Sequence, residues 1–173
     1  KSGIPCVHMM ELAQSPDVNS VGFSQTQAAS TLTEHLLSRG RQRIAFAAAQ
    51  LDPRTMQRLE GWRKTLKAAK LYDKALSYTN KSASSMALGG EMLQQIMSDD
   101  PSIDAIFFCN DDLAQGALLA AQRLKIKVPQ QLAIAGFNDL TGSDLVGPGL
   151  TTIRTPRAAI GQAAAQMLLA LMR

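Results

Sequence analysis

Histidine, cysteine and aromatic residues are scarce in this chain of 173 residues. There are 2 histidines and 2 cysteines, and aromatic residues make up 5% of the sequence. His8 lies in a predicted strand and His35 in a predicted helix, and neither is near a serine or cysteine in an elbow-type turn. The sequence therefore gives little support to nucleophilic catalysis.

The two cysteines also argue against a metal site, because their spacing fits none of the known ligand patterns. Cys6 and Cys109 both lie inside apolar runs that predict strands, so we expect buried free thiols in a reducing cytoplasm. No apolar run reaches the roughly 18 residues of a membrane-spanning helix, and no secretory leader is visible. The opening KSGIPCVHM looks like mid-protein sequence, which leaves a leader or another domain upstream open.

Charged residues are few as well, at 18% of the chain, whereas 46% are hydrophobic, so a packed core is expected. The length suits one domain or one lobe of a larger protein. The net charge of +4 is scattered along the sequence. Its one basic cluster, RGRQR (39–43), lies in a predicted helix–strand turn, where a solvated turn is favoured over a nucleic-acid contact.

Strand-like and helix-like segments alternate along the chain, which predicts an α/β fold with a parallel sheet and helices on both faces. The predicted strands are 4–9, 19–23, 43–49, 75–79, 103–109, 128–137 and 150–154. Gly40 ends the first predicted helix, and Asp52 caps the second with Pro53 at its first position. A serine starts the helix in SASSMALGGEMLQQIMS, where Gly89 and Gly90 permit close packing.

Parallel sheets bind ligands beyond the carboxyl ends of their strands, at the point where the strand order reverses. Polar residues follow three of the predicted strands: Arg54 and Arg58, then Asn110–Asp112, then Asn138–Asp139. Amides and guanidinium groups there suit a small polar ligand, because an amide both donates and accepts while arginine matches carboxylate or phosphate.

The two arginines allow two interpretations. Arg54 and Arg58 are four residues apart, so they share one face of a helix that begins at Pro53. A cation in the first turn opposes the helix dipole unless an anion binds there, which favours an anionic ligand. The alternative is a pair of solvated arginines.

The acidic residues Asp111 and Asp112 also allow two interpretations. Either of them can cap the next helix, which is the common arrangement after such a strand. A metal or phosphoryl-transfer site would need converging carboxylates and usually a lysine, and no lysine has a clear role here. There is no phosphate-binding glycine loop either. We therefore predict no metal, no cofactor and no enzymatic activity.

Five segments resemble, in order and spacing, the effector-binding region of the LacI/GalR family of transcription repressors. They are VGFSQTQAASTLTEHLLSRGRQRIAF, RLEGWRKTL, AIFFCNDDLAQGAL, VPQQLAIAGFNDL and LTTIRTPRAAIGQAA. The block LDPRTMQRLEGWR is most similar to members that respond to gluconate or related sugar acids. The resemblance implies a periplasmic-binding-protein-like fold of two α/β lobes, with the effector in the cleft.

The resemblance also implies a domain organisation. Residues 1–23 would end the N-terminal lobe, 24–150 would form the C-terminal effector-binding lobe, and 151–173 would cross back into the N-terminal lobe. The DNA-binding headpiece is absent from this chain, so operator DNA would be bound only through that missing part. A homodimer is expected, with helix 112–124 at its contact, and the effector would act by shifting the population of lobe arrangements.

Five residues of this chain match family effector positions. Arg58 matches the arginine that hydrogen-bonds the effector, and Asn110 matches a position in or near the pocket. Asn138 stands where the family usually has Asp, and Arg54 stands where the family often has a small polar residue. Thr155 matches a polar contact from the crossover segment. An added Arg and a lost Asp shift the pocket by about two charge units toward positive, which predicts a sugar-acid effector.

Two other functions stay open on the sequence. A periplasmic sugar-binding protein of an ABC transporter would share this fold, although cysteines in apolar strands favour the cytoplasm. A small phosphotransfer or hydrolase domain would use Asp111 and Asp112, and it would show magnesium-dependent activity that is lost in Asp111→Asn.

Overall fold

The computed structural model describes residues 4–13 and 15–172. The outermost residues of the predicted lobes, 1–3 and 173, and residue 14 of the first loop lie outside this description. The chain divides into two compact units, one formed by Lys1–Gln25 with Thr155–Arg173 and the other by Thr26–Arg154. In the part of the chain that is described, no helix is long and apolar enough to cross a membrane.

Strands and helices alternate as the sequence predicts. In chain order they are β1 (His8–Met9), β2 (Ser20–Val21), α1 (Gln25–Ser38), β3 (Ile44–Ala48), α2 (Pro53–Ala68), a 3₁₀ turn (Lys74–Leu76), β4 (Ser77–Thr79), α3 (Met86–Asp99), β5 (Ala105–Phe108), α4 (Asp111–Arg123), β6 (Ala133–Asn138), β7 (Thr151–Arg154) and α5 (Arg157–Leu171). Each of these strands is shorter than predicted, because the apolar runs extend beyond the residues that pair.

The smaller unit contains a two-stranded parallel sheet of β1 and β2, against which α5 packs. The prediction that both cysteines are buried is wrong for Cys6, which is exposed, and right for Cys109. The reason is the brevity of β1: both of its residues are exposed, so the apolar run that contains Cys6 has no covering layer.

The larger unit contains a five-stranded, all-parallel sheet in the order β4-β3-β5-β6-β7, which confirms the predicted fold class. Every residue of β3 and β5 is buried, as expected of strands covered on both faces. Phe46 of β3 packs edge-on against Phe107 of β5, with 5.1 Å between ring centroids, and 5.8 Å from Trp62 of α2.

The strand order reverses between β3 and β5. The chain passes from β3 to β4 on one side and then returns to place β5 on the other side of β3. In open parallel sheets, loops after two such strands leave in different directions, which predicts a crevice at the carboxyl edge between β3 and β5. This crevice is the position at which a ligand is expected.

Local signals set the helix boundaries. Asp52 caps α2 by accepting a hydrogen bond from the Thr55 N–H (2.8 Å), with a proline at the first helical turn. Ser85 caps α3 in the same way through the Leu88 N–H (3.1 Å). Gly40, with φ of 82°, follows the end of α1 in the left-handed conformation that glycine favours.

Helices α3 and α4 approach so closely that their backbones touch. A Cβ on Gly89 would collide with the Leu113 carbonyl, and a Cβ on Gly116 would collide with the Met86 carbonyl. A Cβ on the neighbouring Gly90 would stay at an ordinary 3.4 Å from the Ala120 side chain. The sequence predicted close packing at both glycines, but the structure requires it only at Gly89.

We expect Gly89→Ala to destabilise the larger unit by about 2 kcal/mol, because the two helices must move apart to admit the methyl group. The matched substitution Gly90→Ala should leave the free energy of unfolding unchanged or raise it by at most about 1 kcal/mol, because alanine has the better helix propensity. Urea unfolding followed by circular dichroism measures both. Equal effects of the two substitutions would show that backbone contact at Gly89 does not limit the helix spacing.

Candidate functional site at the carboxyl edge of the sheet

Arg58 is the most buried cation at the crevice, with 7% of its surface exposed. Its Nη1 donates to the Cys109 carbonyl at the end of β5 (2.6 Å), and its Cζ lies 3.9 Å from the centroid of the Phe137 ring in β6. The hydrogen bond and the cation–π contact fix the plane of the guanidinium group. Arg58 therefore places an oriented, positively charged donor group at the switch point.

Burial lowers the pKa of Arg58 to about 10, and the nearby positive charge of Arg54 adds to the lowering. The group stays charged at neutral pH, so a buried positive charge is present at the sheet edge. A negative ligand would offset the cost of burying that charge.

Arg54 differs from Arg58 although both lie on α2. Its side chain is 44% exposed, and its Nη2 lies 3.3 Å from the Asp52 carboxylate. Arg54 in the first turn of α2 is thus open to solvent, whereas Arg58 in the next turn is covered by Cys109 and Phe137. The spacing of four residues correctly indicates proximity of the two charges, but it does not reveal that one is buried and one is solvated.

Asn110 is the N-cap of α4, so the prediction that Asp111 or Asp112 caps this helix is wrong. The Asn110 Oδ1 accepts from the Leu113 N–H (3.1 Å), and its Nδ2 donates to the Ser84 Oγ (2.8 Å). The helix begins one residue earlier than assumed, because Asn110 is the extended residue (φ −153°) from which a short side chain reaches the free N–H groups. Asn110 is therefore held in one orientation at the end of β5.

Asp111 is completely buried, and its carboxylate accepts hydrogen bonds from neighbouring groups of the protein. Its Oδ1 accepts from the Thr152 hydroxyl (2.6 Å), and its Oδ2 accepts from the Leu140 N–H (2.7 Å) and, more weakly, the Ser143 hydroxyl (3.4 Å). Its neighbour Asp112 is half-buried in the first turn of α4. Over residues 4–13 and 15–172, no group of three or more His, Cys, Asp or Glu side chains is arranged to hold a metal ion.

Asn138, the last residue of β6, and Asp139, which follows it, have successive positive φ angles of 124° and 55°. Asn138 pairs with Arg154 of β7 in the ladder, and the Arg154 Nε donates to the Asp139 carboxylate (2.6 Å). Both residues are half-buried at the same sheet edge as Arg58 and Asn110. Thr155, the fifth residue that the sequence singled out, is buried with 4% exposure and belongs to the smaller unit.

Three contributors to the site lack a strong signal in the sequence: Ser84, Phe137 and Thr152. Phe137 looks like an ordinary core residue at the end of a strand, and its stacking on Arg58 joins positions far apart in the chain. Ser84 is one of several serines before α3, and Thr152 one of two adjacent threonines in β7. Their importance comes from the side chains that they contact.

Known proteins are similar to nearly the whole of this chain. A family model described as a periplasmic binding protein-like domain matches residues 33–173. The HTH-type transcriptional regulator GntR of Pseudomonas aeruginosa is 55% identical over 171 residues, which cover 99% of this chain and 50% of that protein. The chain thus spans about half the length of the curated relatives that it matches.

The similar solved structures are also transcription regulators. The transcription regulator GntR from Chromobacterium violaceum has a TM-score of 0.93 and 50% identity, covering 95% of this chain and 60% of that one. A LacI family transcriptional regulator from Silicibacter pomeroyi has a TM-score of 0.89 and 28% identity, covering 96% of this chain and 62% of that one.

Proposed function

Since the chain belongs to the periplasmic binding protein-like family, as part of a LacI/GalR-type transcription regulator, we propose that it senses a small sugar acid similar to gluconate. The observation that carries this proposal is Arg58, a buried and oriented guanidinium at the switch point of the sheet. Asn110 and Asn138 supply amides at the same edge, and they suit the hydroxyl groups of a sugar chain.

The preference for an acid follows from the charges at this edge. Arg58 is positive, Arg54 adds a second positive charge that Asp52 partly offsets, and the amide of Asn138 is neutral where related regulators usually carry a carboxylate. A carboxylate at that position would repel an acidic ligand by roughly 4 kcal/mol at ~4 Å and an effective dielectric constant near 20. A neutral sugar would gain less from the same two arginines.

We propose that the longer protein binds operator DNA through a headpiece outside this chain. We further propose that it acts in the cytoplasm as a homodimer. The relatives are named as transcription regulators, which favours this role over the sugar-binding protein of a transporter. Leu119 of α4 and Leu124, the residue that caps its C-terminal end, are 41% and 48% exposed and suit a contact between copies. Effector binding would change DNA affinity only through a difference in its affinity for two conformations.

Calorimetric titration tests the proposed ligand class. We expect gluconate or 2-ketogluconate to bind at least about tenfold more tightly than glucose, which corresponds to ~1.4 kcal/mol. A sugar phosphate serves as a second anion of different size. Equal affinity for glucose and the acids would refute the charge argument, and binding of none of them would refute the proposed ligand class.

Arg54→Gln should weaken binding of the acid by roughly three- to tenfold and leave glucose binding unchanged, because it removes charge at the rim of the site. The control is Arg63→Gln, which removes another half-exposed arginine of α2 that is likewise paired with a nearby acid, Glu60. Calorimetry at two salt concentrations measures the effect, which should shrink as salt rises. Equal losses in both variants would indicate a nonspecific effect of net charge.

A further inference from the structure

The turn after β6 has an unusual backbone that the surrounding structure must hold in place. Asn138 and Asp139 adopt φ angles of 124° and 55° in succession, and neither residue is glycine. Aspartate tolerates the left-handed angle of Asp139, but a φ of 124° is disfavoured for any side chain with a Cβ, so Asn138 keeps it only where other contacts enforce the conformation. Asn138 is the last residue of β6, so the backbone at this turn determines where its amide lies.

The contacts that enforce the turn converge on one hydroxyl group and one carboxylate. The Thr152 Oγ1 accepts a hydrogen bond from the Asp139 N–H (3.3 Å) and donates to the Asp111 Oδ1 (2.6 Å). The next backbone N–H, that of Leu140, donates directly to the Asp111 Oδ2 (2.7 Å). The two N–H groups that follow Asn138 are thus tied, through Thr152 and directly, to a fully buried negative charge.

We propose that Thr152 is a positioning residue for the effector site. Its hydroxyl connects the turn to the fixed Asp111 carboxylate and thereby determines where the Asn138 amide lies. This inference rests on the proposed function, because it concerns how the same site is shaped for a sugar acid. The hydroxyl is needed because it donates and accepts at once, which a methyl group of the same size cannot do.

Thr152→Val and Thr152→Ser separate positioning from stability. Valine keeps the shape and is a good strand former but lacks the hydroxyl, whereas serine keeps the hydroxyl and is a poorer strand former. We expect Thr152→Val to weaken gluconate binding about fivefold or more, and Thr152→Ser to restore it, although the serine variant has the lower strand propensity. Because valine also leaves the buried Asp111 Oδ1 without its Thr152 donor, urea unfolding of both variants is measured beside binding, and affinity is compared where each variant is fully folded. A purely structural role would leave the affinity of the folded valine variant unchanged.

The matched control is Thr151→Val. Thr151 is the preceding residue of the same strand and is exposed, whereas Thr152 is half-buried. The control should leave gluconate affinity unchanged. A loss in Thr151→Val as large as that in Thr152→Val would overturn the proposal, as would a failure of Thr152→Ser to restore binding.

Amide hydrogen exchange measured without ligand tests the role of Thr152 in holding the turn, and this test does not depend on the proposed function. In Thr152→Val the Asp139 amide should exchange at least about tenfold faster than in the parent protein, while Thr152→Ser should resemble the parent. If gluconate failed to bind the parent but this pattern appeared, the proposed ligand would be wrong and the role of Thr152 in holding the turn would stand. Unchanged exchange of the Asp139 amide in the valine variant would overturn that role.

Discussion

Replacing Arg58 by methionine should reduce sugar-acid binding by at least about a hundredfold while leaving the protein folded. The substitution removes the buried positive charge and the donor that is fixed by the Cys109 carbonyl and the Phe137 ring. A charged, oriented hydrogen bond to a carboxylate contributes on the order of 1.5–3 kcal/mol, and loss of the charge itself adds to this effect. Calorimetry with gluconate measures the change.

Stability should respond differently from binding in this variant. Methionine has a similar length and fills the space against Phe137, and apolar replacement of a buried charge is often neutral or stabilising. The costs include the donor to the Cys109 carbonyl, worth roughly 1 kcal/mol, and the cation–π contact with Phe137, worth about 0.5–2 kcal/mol. Urea unfolding should therefore show a modest loss in a protein that stays folded, so lost binding in the folded variant would assign Arg58 to the site. Retained affinity in Arg58→Met would remove the central support for the proposed function.

Arg58→Lys is the matched charge control. Lysine keeps a positive charge but has no planar fork, so it cannot stack on Phe137 and hold the Cys109 carbonyl in the same geometry. We expect it to bind sugar acids more weakly than the parent and more tightly than the methionine variant. The same affinity for the lysine and methionine variants would mean that orientation, rather than charge, determines binding.

Asp111→Ala should cost the larger unit about 3–5 kcal/mol of unfolding free energy, the largest stability effect that we expect in this protein. The carboxylate is completely buried, and three donors would lose their acceptor at once: the Leu140 N–H and the hydroxyls of Thr152 and Ser143. Each unsatisfied buried donor costs on the order of 1–3 kcal/mol. Urea unfolding at constant pH measures the loss.

The adjacent Asp112→Ala is the matched control, because it removes the same group from the next position. Asp112 is half-buried in the first turn of α4, where a negative charge gains about 0.3–1 kcal/mol from the helix dipole. Comparable losses in the two variants would show that helix electrostatics, rather than the buried hydrogen bonds of Asp111, explain the effect.

The sequence predicts the fold well because its signals are local. Short buried runs give the strands, and residues such as Asp52 and Gly40 mark where helices begin and end. It predicts the Asn110 cap wrongly because three good capping residues follow one another, and only the position of the last strand residue decides among them. The exposure of Cys6 depends on the shortness of β1, which composition does not reveal.

The candidate site is predictable only in part, for a similar reason. The positions of Arg58, Asn110 and Asn138 follow from the rule that parallel strands end at one edge of a sheet. The contact between Arg58 and Phe137 joins residues on different elements, as does the link from Thr152 to Asp111. Such contacts depend on side-chain geometry that hydrophobic periodicity does not encode.

Trp62, which packs against Phe46 in the core, gives the molecule a built-in optical probe. It is the single tryptophan of the chain, it is fully buried, and its indole N–H donates to the Ile44 carbonyl (3.2 Å). Its emission should therefore report the unfolding of the larger unit alone, because the smaller unit contains no tryptophan. Because Trp62 is one helical turn from Arg58, we expect its emission to respond to ligand binding as well as to unfolding, so both can be tested without an added dye.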